Sequence, residues 1–257
     1  MHNIHYAGRA CRKMRNLKIF CSFSGANYHG FQRQPELPTV QGEIELAFNK
    51  VIGAEVSIAG CSRTDAGVHA CRFCFSTYIK NAIPCENLTR ALNGRLPPDI
   101  VILSCEEADK SFNARFSAKS KEYIYLINNK RQRDVFMQSY HYPYDLNIEL
   151  LRKTAQLFIG RHDFAAFCRS EGLKEVSSTV REIYSFNVKE NDGFAEFIVR
   201  GNAFLYNMVR IMAGTLIYVN EGKRTAGDIL EAFKTGGREK AGKTLPPYGL
   251  YLNDVFY

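Results

Sequence analysis

The chain has 257 residues, 46% of them hydrophobic, enough to build one large or two modest domains and too many for wholesale disorder. Its 34 lysines and arginines against 26 acids leave a net charge of +8, which favours a polyanionic partner without naming one. No apolar run approaches the length of a membrane span.

Residues 1–15 carry Arg9, Arg12, Lys13 and Arg15 with no acid and no apolar segment, so the stretch is not a secretory signal. It reads as a loose basic extension; a transit peptide stays open, though serine is absent. Met14 is an alternative start, because patterned sequence begins just after it. Leu17–Phe23 predicts a first strand. The polar loop from Ser24 to Gln34 holds Tyr28 and Phe31 between glycines, and Gln32 and Arg33 at its end are candidate RNA contacts. Thr39 is placed to cap a helix over 40–52, with Ile44, Phe48 and Val51 on one stripe and Gly53 as its stop.

Val56–Ala59 and Arg72–Ile79 predict strands around Gly60-Cys61-Ser62-Arg63-Thr64-Asp65-Ala66-Gly67-Val68-His69-Ala70. Loops held by a rigid sheet are frequent homes for catalytic groups. In an extended segment Arg63 and Asp65 share one face. Asp before Ala-Gly also suits a turn whose side chain bonds its own backbone. The residues by themselves leave both readings open. Glu86–Asn93 predicts a helix and Ile100–Ser104 a strand, so the first portion runs β-α-β-β-α-β, a ferredoxin-like alternation.

The junction between two α/β domains, 16–110 and 111–257, is placed in the segment holding Ser111-Phe112-Asn113-Ala114-Arg115-Phe116-Ser117. Lys121–Ile127 alternates as a strand, with Tyr123, Tyr125 and Ile127 on one face. Tyr125 reads as sheet packing. Asn147–Ile159 predicts an amphipathic helix stopped by Gly160. His162-Asp163 lacks a nucleophile motif and reads as a structural loop pinned by Phe164 and Phe167. Val180–Lys189 and Phe194–Arg200 predict a hairpin around Asn191-Asp192-Gly193. Across 202–216, helical spacing puts Phe204, Met208, Ile211, Met212 and Thr215 on one side and Arg210 on another. Thr225-x-x-Asp228 is a capping box for a last helix ending at Gly236-Gly237.

Cysteines stand at 11, 21, 61, 71, 74, 85, 105 and 168, mostly within apolar runs. Cys71-x-x-Cys74 has no second pair or histidines at ligand spacing, and on a strand its two members face apart. Core cysteines in a reducing cytoplasm are expected, with no metal.

The loop centred on Asp65 resembles the signature loop of TruA-type tRNA pseudouridine synthases. Further motifs follow in family order: Asn27-Tyr28-His29-Gly30-Phe31-Gln32, Phe112-Asn113-Ala114-Arg115-Phe116-Ser117, Phe204-Leu205-Tyr206-Asn207-Met208-Val209-Arg210 and the closing Gly249-Leu250-Tyr251-Leu252. Phe31, Ser62 and Asn113 depart from the usual residues, yet none touches Arg-Thr-Asp. The resemblance implies an α+β fold of two joined ferredoxin-like (RRM-like) halves in a largely antiparallel sheet. It implies a homodimeric cytoplasmic isomerase that turns uridine into pseudouridine at tRNA positions 38–40, without a cofactor or metal. Asp65 maps to the catalytic nucleophile, with Arg63, Arg210, Tyr123 and Leu250 in support. Arg63 and Tyr123 are also RNA contacts by this mapping, together with Gln32, Arg33, His69 and Arg115. A cation beside a partly buried Asp favours its ionised form, the role expected of Arg210. The rival readings are a non-catalytic tandem RRM-like RNA-binding protein and a paralogue with another RNA target. A small-molecule nucleoside hydrolase would want a second acid or a phosphate site.

Overall fold

The computed structural model describes residues 14–133, 135–136, 138–174 and 176–257. Arg9, Arg12, Lys13 and Cys11 of the basic extension lie outside the described residues. Strand β1 (Arg15–Phe23) leads through the Ser24–Gln34 loop to α1 (Val40–Ile52). Thr39 Oγ1 accepts from the Gly42 amide at 3.3 Å, and Gly53 closes the helix with a left-handed φ of 67°. Short β2 (Ile58–Gly60), β3 (His69–Ile79), α2 (Cys85–Asn93) and β4 (Ile100–Ala108) complete the β-α-β-β-α-β order. β4 runs four residues beyond the expected Ser104. Its polar end stays in the ladder because Cys105, Glu106, Glu107 and Ala108 all pair with β1.

The second set begins with β5 (Ser120–Asn128), β6 (Tyr140–His141) and α3 (Ile148–Ala155). α3 stops four residues short of the predicted end, because Gln156–Phe158 tightens into a 3-10 turn that buries Phe158. His162 and Asp163 sit on a short strand, β7 (Gly160–Asp163), rather than in a loop, and the His162 ring stacks on Phe233 at 4.4 Å. After α4 (Ser170–Leu173) come β8 (Val180–Asn191) and β9 (Phe194–Gly201). Asp192 and Gly193 join them with positive φ at both positions, the tight turn that matches strand twist. α5 (Met208–Asn220), α6 (Ala226–Thr235) and β10 (Leu250–Phe256) follow, and Thr225 and Asp228 form the expected capping box.

The strands form one sheet in the order β4-β1-β3-β10-β5-β9-β8-β7, with β2 on β3 and β6 on β5. Two ferredoxin-like orders are nested in it: β4-β1-β3-β2, with α1 and α2 as crossovers, and β10-β5-β9-β8, with α3 and α5. The predicted α+β architecture of two joined halves is therefore correct. Two strands share one edge of β3: residues 75–77 pair with β2, whereas His69 and Ala70 pair in parallel with Tyr251 and Leu252 of β10. β10 is also antiparallel to β5, so it stitches the two sets.

β9 alternates buried and half-buried residues, as a sheet with one packed face should. The middle of β3 is buried on both faces. Its second side, with that of β1, lies under Phe112 and Tyr257, whose rings meet at 5.0 Å. Arg72 covers the Phe20 ring at 3.9 Å. Cys21, Cys61, Cys74 and Cys168 are buried, whereas Cys71 is exposed and does not belong to the core. Among the described residues no helix is long and apolar enough to cross a membrane.

Candidate active site

The Asp65 loop leaves the sheet between β2 and β3 and turns back on its main chain: the Val68 amide donates to the Asp65 carbonyl at 3.2 Å. The backbone closes this turn and leaves the carboxylate for contacts elsewhere. The loop lies close against the earlier loop, whose Gly30 has φ 89°; a Cβ there would stand 2.3 Å from the Thr64 carbonyl oxygen. The Gly67 amide donates to Tyr28 O at 3.2 Å and ties the two loops together.

The partners of Asp65 come from the other half of the sheet. Arg210 Nη1 donates to Asp65 Oδ2 at 2.9 Å, and Asn207 Nδ2 donates to the same oxygen at 2.7 Å. The pair is only partly exposed, with side-chain values of 19% for Asp65 and 14% for Arg210, so solvent screens it weakly. The sequence spacing that placed Phe204 on a helix stripe with Met208 does not hold. Residues 202–207 lie outside the helix, which begins at Met208 after Asn207 adopts a left-handed φ of 60°. Arg210 is thus in the first turn of α5, close behind Asn207.

A second contact anchors Arg210, from Nε to the Leu245 carbonyl at 2.7 Å. It depends on a tight crossing one turn further along α5. A Cβ on Gly214 would lie 1.8 Å from the Lys243 carbonyl oxygen, and the Gly242 amide donates to Thr215 Oγ1 at 2.8 Å. Gly214→Ala would ordinarily gain about 1 kcal/mol in a helix interior. Here the clash dominates, and a net loss of about 2 kcal/mol is expected in urea unfolding. Single-turnover activity should fall too, because Leu245 moves away from Arg210; a stabilised, fully active variant would contradict this account.

Tyr123, on β5, is buried, with its ring edge against Phe204 at 5.0 Å. Its hydroxyl lies 3.2 Å from Ser62 Oγ in the Asp65 loop. Burial drives the phenol well above its ordinary pKa, only partly offset by the Ser62 contact, so it stays protonated at neutral pH. Leu250 opens β10 opposite Tyr125 and is buried. Tyr125 is packed as expected, its hydroxyl donating to Pro246 O at 2.8 Å. The structure therefore brings Asp65, Arg210 and Tyr123 around one loop, with Leu250 on the strand beside Tyr123.

The other candidates are more dispersed. Arg63 and Gln32 are exposed on the two facing loops. Arg33 pairs with Glu45 of α1 at 2.5 Å. Arg115 is exposed, its guanidinium 5.6 Å from the Phe116 ring centre. His69 is buried under Tyr251, with ring centres 4.7 Å apart, and its Nδ1 accepts from the Gly25 amide at 3.2 Å. Burial lowers the pKa of this imidazole, partly opposed by the Tyr248 backbone. A depressed folded pKa means that the unfolded chain takes up the proton first. The stability from neutral His69 is therefore present above about 6.5 and lost as pH falls below that. Between pH 7 and pH 5 the wild-type melting temperature should drop more than that of His69→Asn; parallel curves would contradict it.

Sequence reasoning missed Asn207. It was visible inside the Phe204–Arg210 motif, and Asn is the non-glycine residue most at ease in the left-handed region, but the helical reading of 202–216 hid that signal.

The family model described as tRNA pseudouridine synthase matches residues 19–117 and 154–257. The tRNA pseudouridine synthase A of Thermoanaerobacter sp. (strain X514) is 44% identical over 246 residues, covering 95% of this chain and 100% of that protein. That of Geobacillus sp. (strain WCH70) is 43% identical over 248 residues, covering 95% and 98%. Among solved structures, the archaeal box H/ACA sRNP Nop10-Cbf5 complex aligns with a TM-score of 0.36 at 12% identity, over 90% of this chain and 59% of that one. The sequence matches define the class as pseudouridine synthase, an RNA-modifying isomerase. Within that class, the chain belongs to the TruA-type family of tRNA pseudouridine synthases.

Proposed function

We propose that this enzyme isomerises uridines of the tRNA anticodon stem-loop, at positions 38–40, with Asp65 as its nucleophile. The observation that carries the proposal is the convergence of Arg210 and Asn207 on Asp65, across 145 and 142 residues of sequence. The isomerisation breaks the N1–C1′ bond, turns the uracil over and joins C5 to C1′. C5 loses a proton and N1 gains one, so atoms balance without an oxidant or reductant. One carboxylate held by a guanidinium suits covalent attack on the nucleotide, at C1′ or on the base. Extruding the uridine costs a few kcal/mol, which stacking on Tyr123 and contacts from Arg63 to the phosphate backbone offset. The neutral Tyr123 hydroxyl, in reach of Ser62 Oγ, supplies a proton-transfer route from C5. Leu250 forms an apolar wall, while Gln32, Arg33, His69 and Arg115 support the loops or contact RNA nearby. The working form is a cytoplasmic homodimer.

The test uses unmodified tRNA transcripts and mapping of the product. Pseudouridine is expected within positions 38–40, and cytidine at those positions should abolish it; modification confined elsewhere refutes the target assignment. The charge of +8 adds a further expectation. Affinity for tRNA should weaken at least about tenfold between roughly 50 and 200 mM salt, as condensed counterions are released. A flat salt response would contradict electrostatic binding, and a monomer by light scattering would contradict the dimer.

A further inference from the structure

We infer that Asn207 is a positioning residue of the reaction: with Arg210 it occupies Asp65 Oδ2 and thereby leaves Oδ1 as the oxygen that reacts. The inference rests on the reading of Asp65 as nucleophile. Both donors end on one oxygen, at 2.7 Å from Asn207 Nδ2 and 2.9 Å from Arg210 Nη1. Two charge-assisted bonds to a single oxygen fix the carboxylate plane and draw electron density to that side. An oxygen already accepting two hydrogen bonds is a poor nucleophile, whereas its twin keeps its lone pairs for the sugar or the base.

The orientation of the amide follows from its chemistry. Turning it over would place Oδ1 of Asn207 against a carboxylate oxygen, so Nδ2 must face Asp65. Asn207 is itself buried, and its φ of 60° holds the residue just ahead of the first turn of α5. A left-handed backbone strains a residue with a Cβ, and Asn least of these. Side chain and backbone therefore make separable contributions. Glycine preserves the left-handed turn and removes only the amide. Aspartate keeps the shape but replaces the donor with a charge that repels Asp65.

The experiment measures the single-turnover rate on unmodified tRNA, tRNA Kd and the melting curve for wild type, Asn207→Gly, Asn207→Asp and Asp65→Asn. Asn207→Gly should melt within a few degrees of wild type and bind tRNA within about threefold, yet turn over roughly 10- to 100-fold more slowly. Asn207→Asp should be slower still near neutral pH. A folded Asn207→Gly with the wild-type rate overturns the inference and reduces Asn207 to a helix-entry residue. Should the glycine variant not fold, the aspartate variant decides: a large loss of rate with intact binding supports the role, and a wild-type rate overturns it. Asp65→Asn separates the two levels. If it retains turnover, the nucleophile reading itself fails; if it is inactive while Asn207→Gly is fully active, only the positioning role fails.

Discussion

Asp65→Asn should abolish pseudouridine formation while the protein still folds and binds tRNA. The substitution keeps the shape of the side chain and its hydrogen bond from Asn207, but removes the charge that Arg210 faces and, with it, the proposed nucleophile. Losing that partner of a partly buried guanidinium costs about 2 kcal/mol, a drop of several degrees in a chain of this size. Affinity for tRNA should stay within a few-fold, because the proposed phosphate contact from Arg63 is untouched. The decisive measurement is product formation under single-turnover conditions with enzyme in excess. Turnover above about a thousandth of wild type would exclude a covalent role, and wholesale unfolding would return Asp65 to the rank of a structural residue.

Arg210→Ala is the second large effect, an expected loss of about 100- to 1000-fold in single-turnover rate. It removes the guanidinium from Asp65 Oδ2 and also the bond from Nε to Leu245 O. Arg210→Lys separates these contributions. A lysine keeps a charge but cannot meet the carboxylate and the carbonyl together with one ammonium on a flexible stem, so the rate should fall by an intermediate factor. Binding of tRNA should change less than a few-fold in both variants. A rate for Arg210→Ala equal to wild type would detach this arginine from the chemistry.

Local signals placed most of the elements. Thr39 and Gly53 bracket a helix that spans Val40–Ile52, because capping geometry is written in single residues. The hairpin turn at Asp192 and Gly193 was readable for the same reason. The errors fall where tertiary contacts decide. β4 extends through Glu106 and Glu107 because β1 offers a ladder to pair with, something no hydrophobic pattern reveals. Asn207 breaks the helical spacing through one backbone conformation, and its amide meets Asp65 only because α5 is carried to the loop. Resemblance to the family implies Arg210 beside Asp65; the distance between them is set by the sheet. The hold on Arg210 from Leu245 escaped notice because it uses a carbonyl, present at every residue and therefore silent in sequence.

The placement of β10 between β3 and β5 has a consequence for the order of events during synthesis. Asp65 and Arg210 emerge from the ribosome long before the strand that stitches their two halves of the sheet. Each half can begin to form as it emerges, as sequential folding of large chains favours. The carboxylate and the guanidinium then belong to separately growing units, free to drift until residues 250–256 slide into the gap and pair on both sides. A ribosome-bound chain that lacks those residues carries Asp65, Asn207 and Arg210 but has neither Leu250 nor the strand that pairs with both halves of the sheet. Alignment of the carboxylate with the guanidinium would then wait for β10, a strand made after both of them.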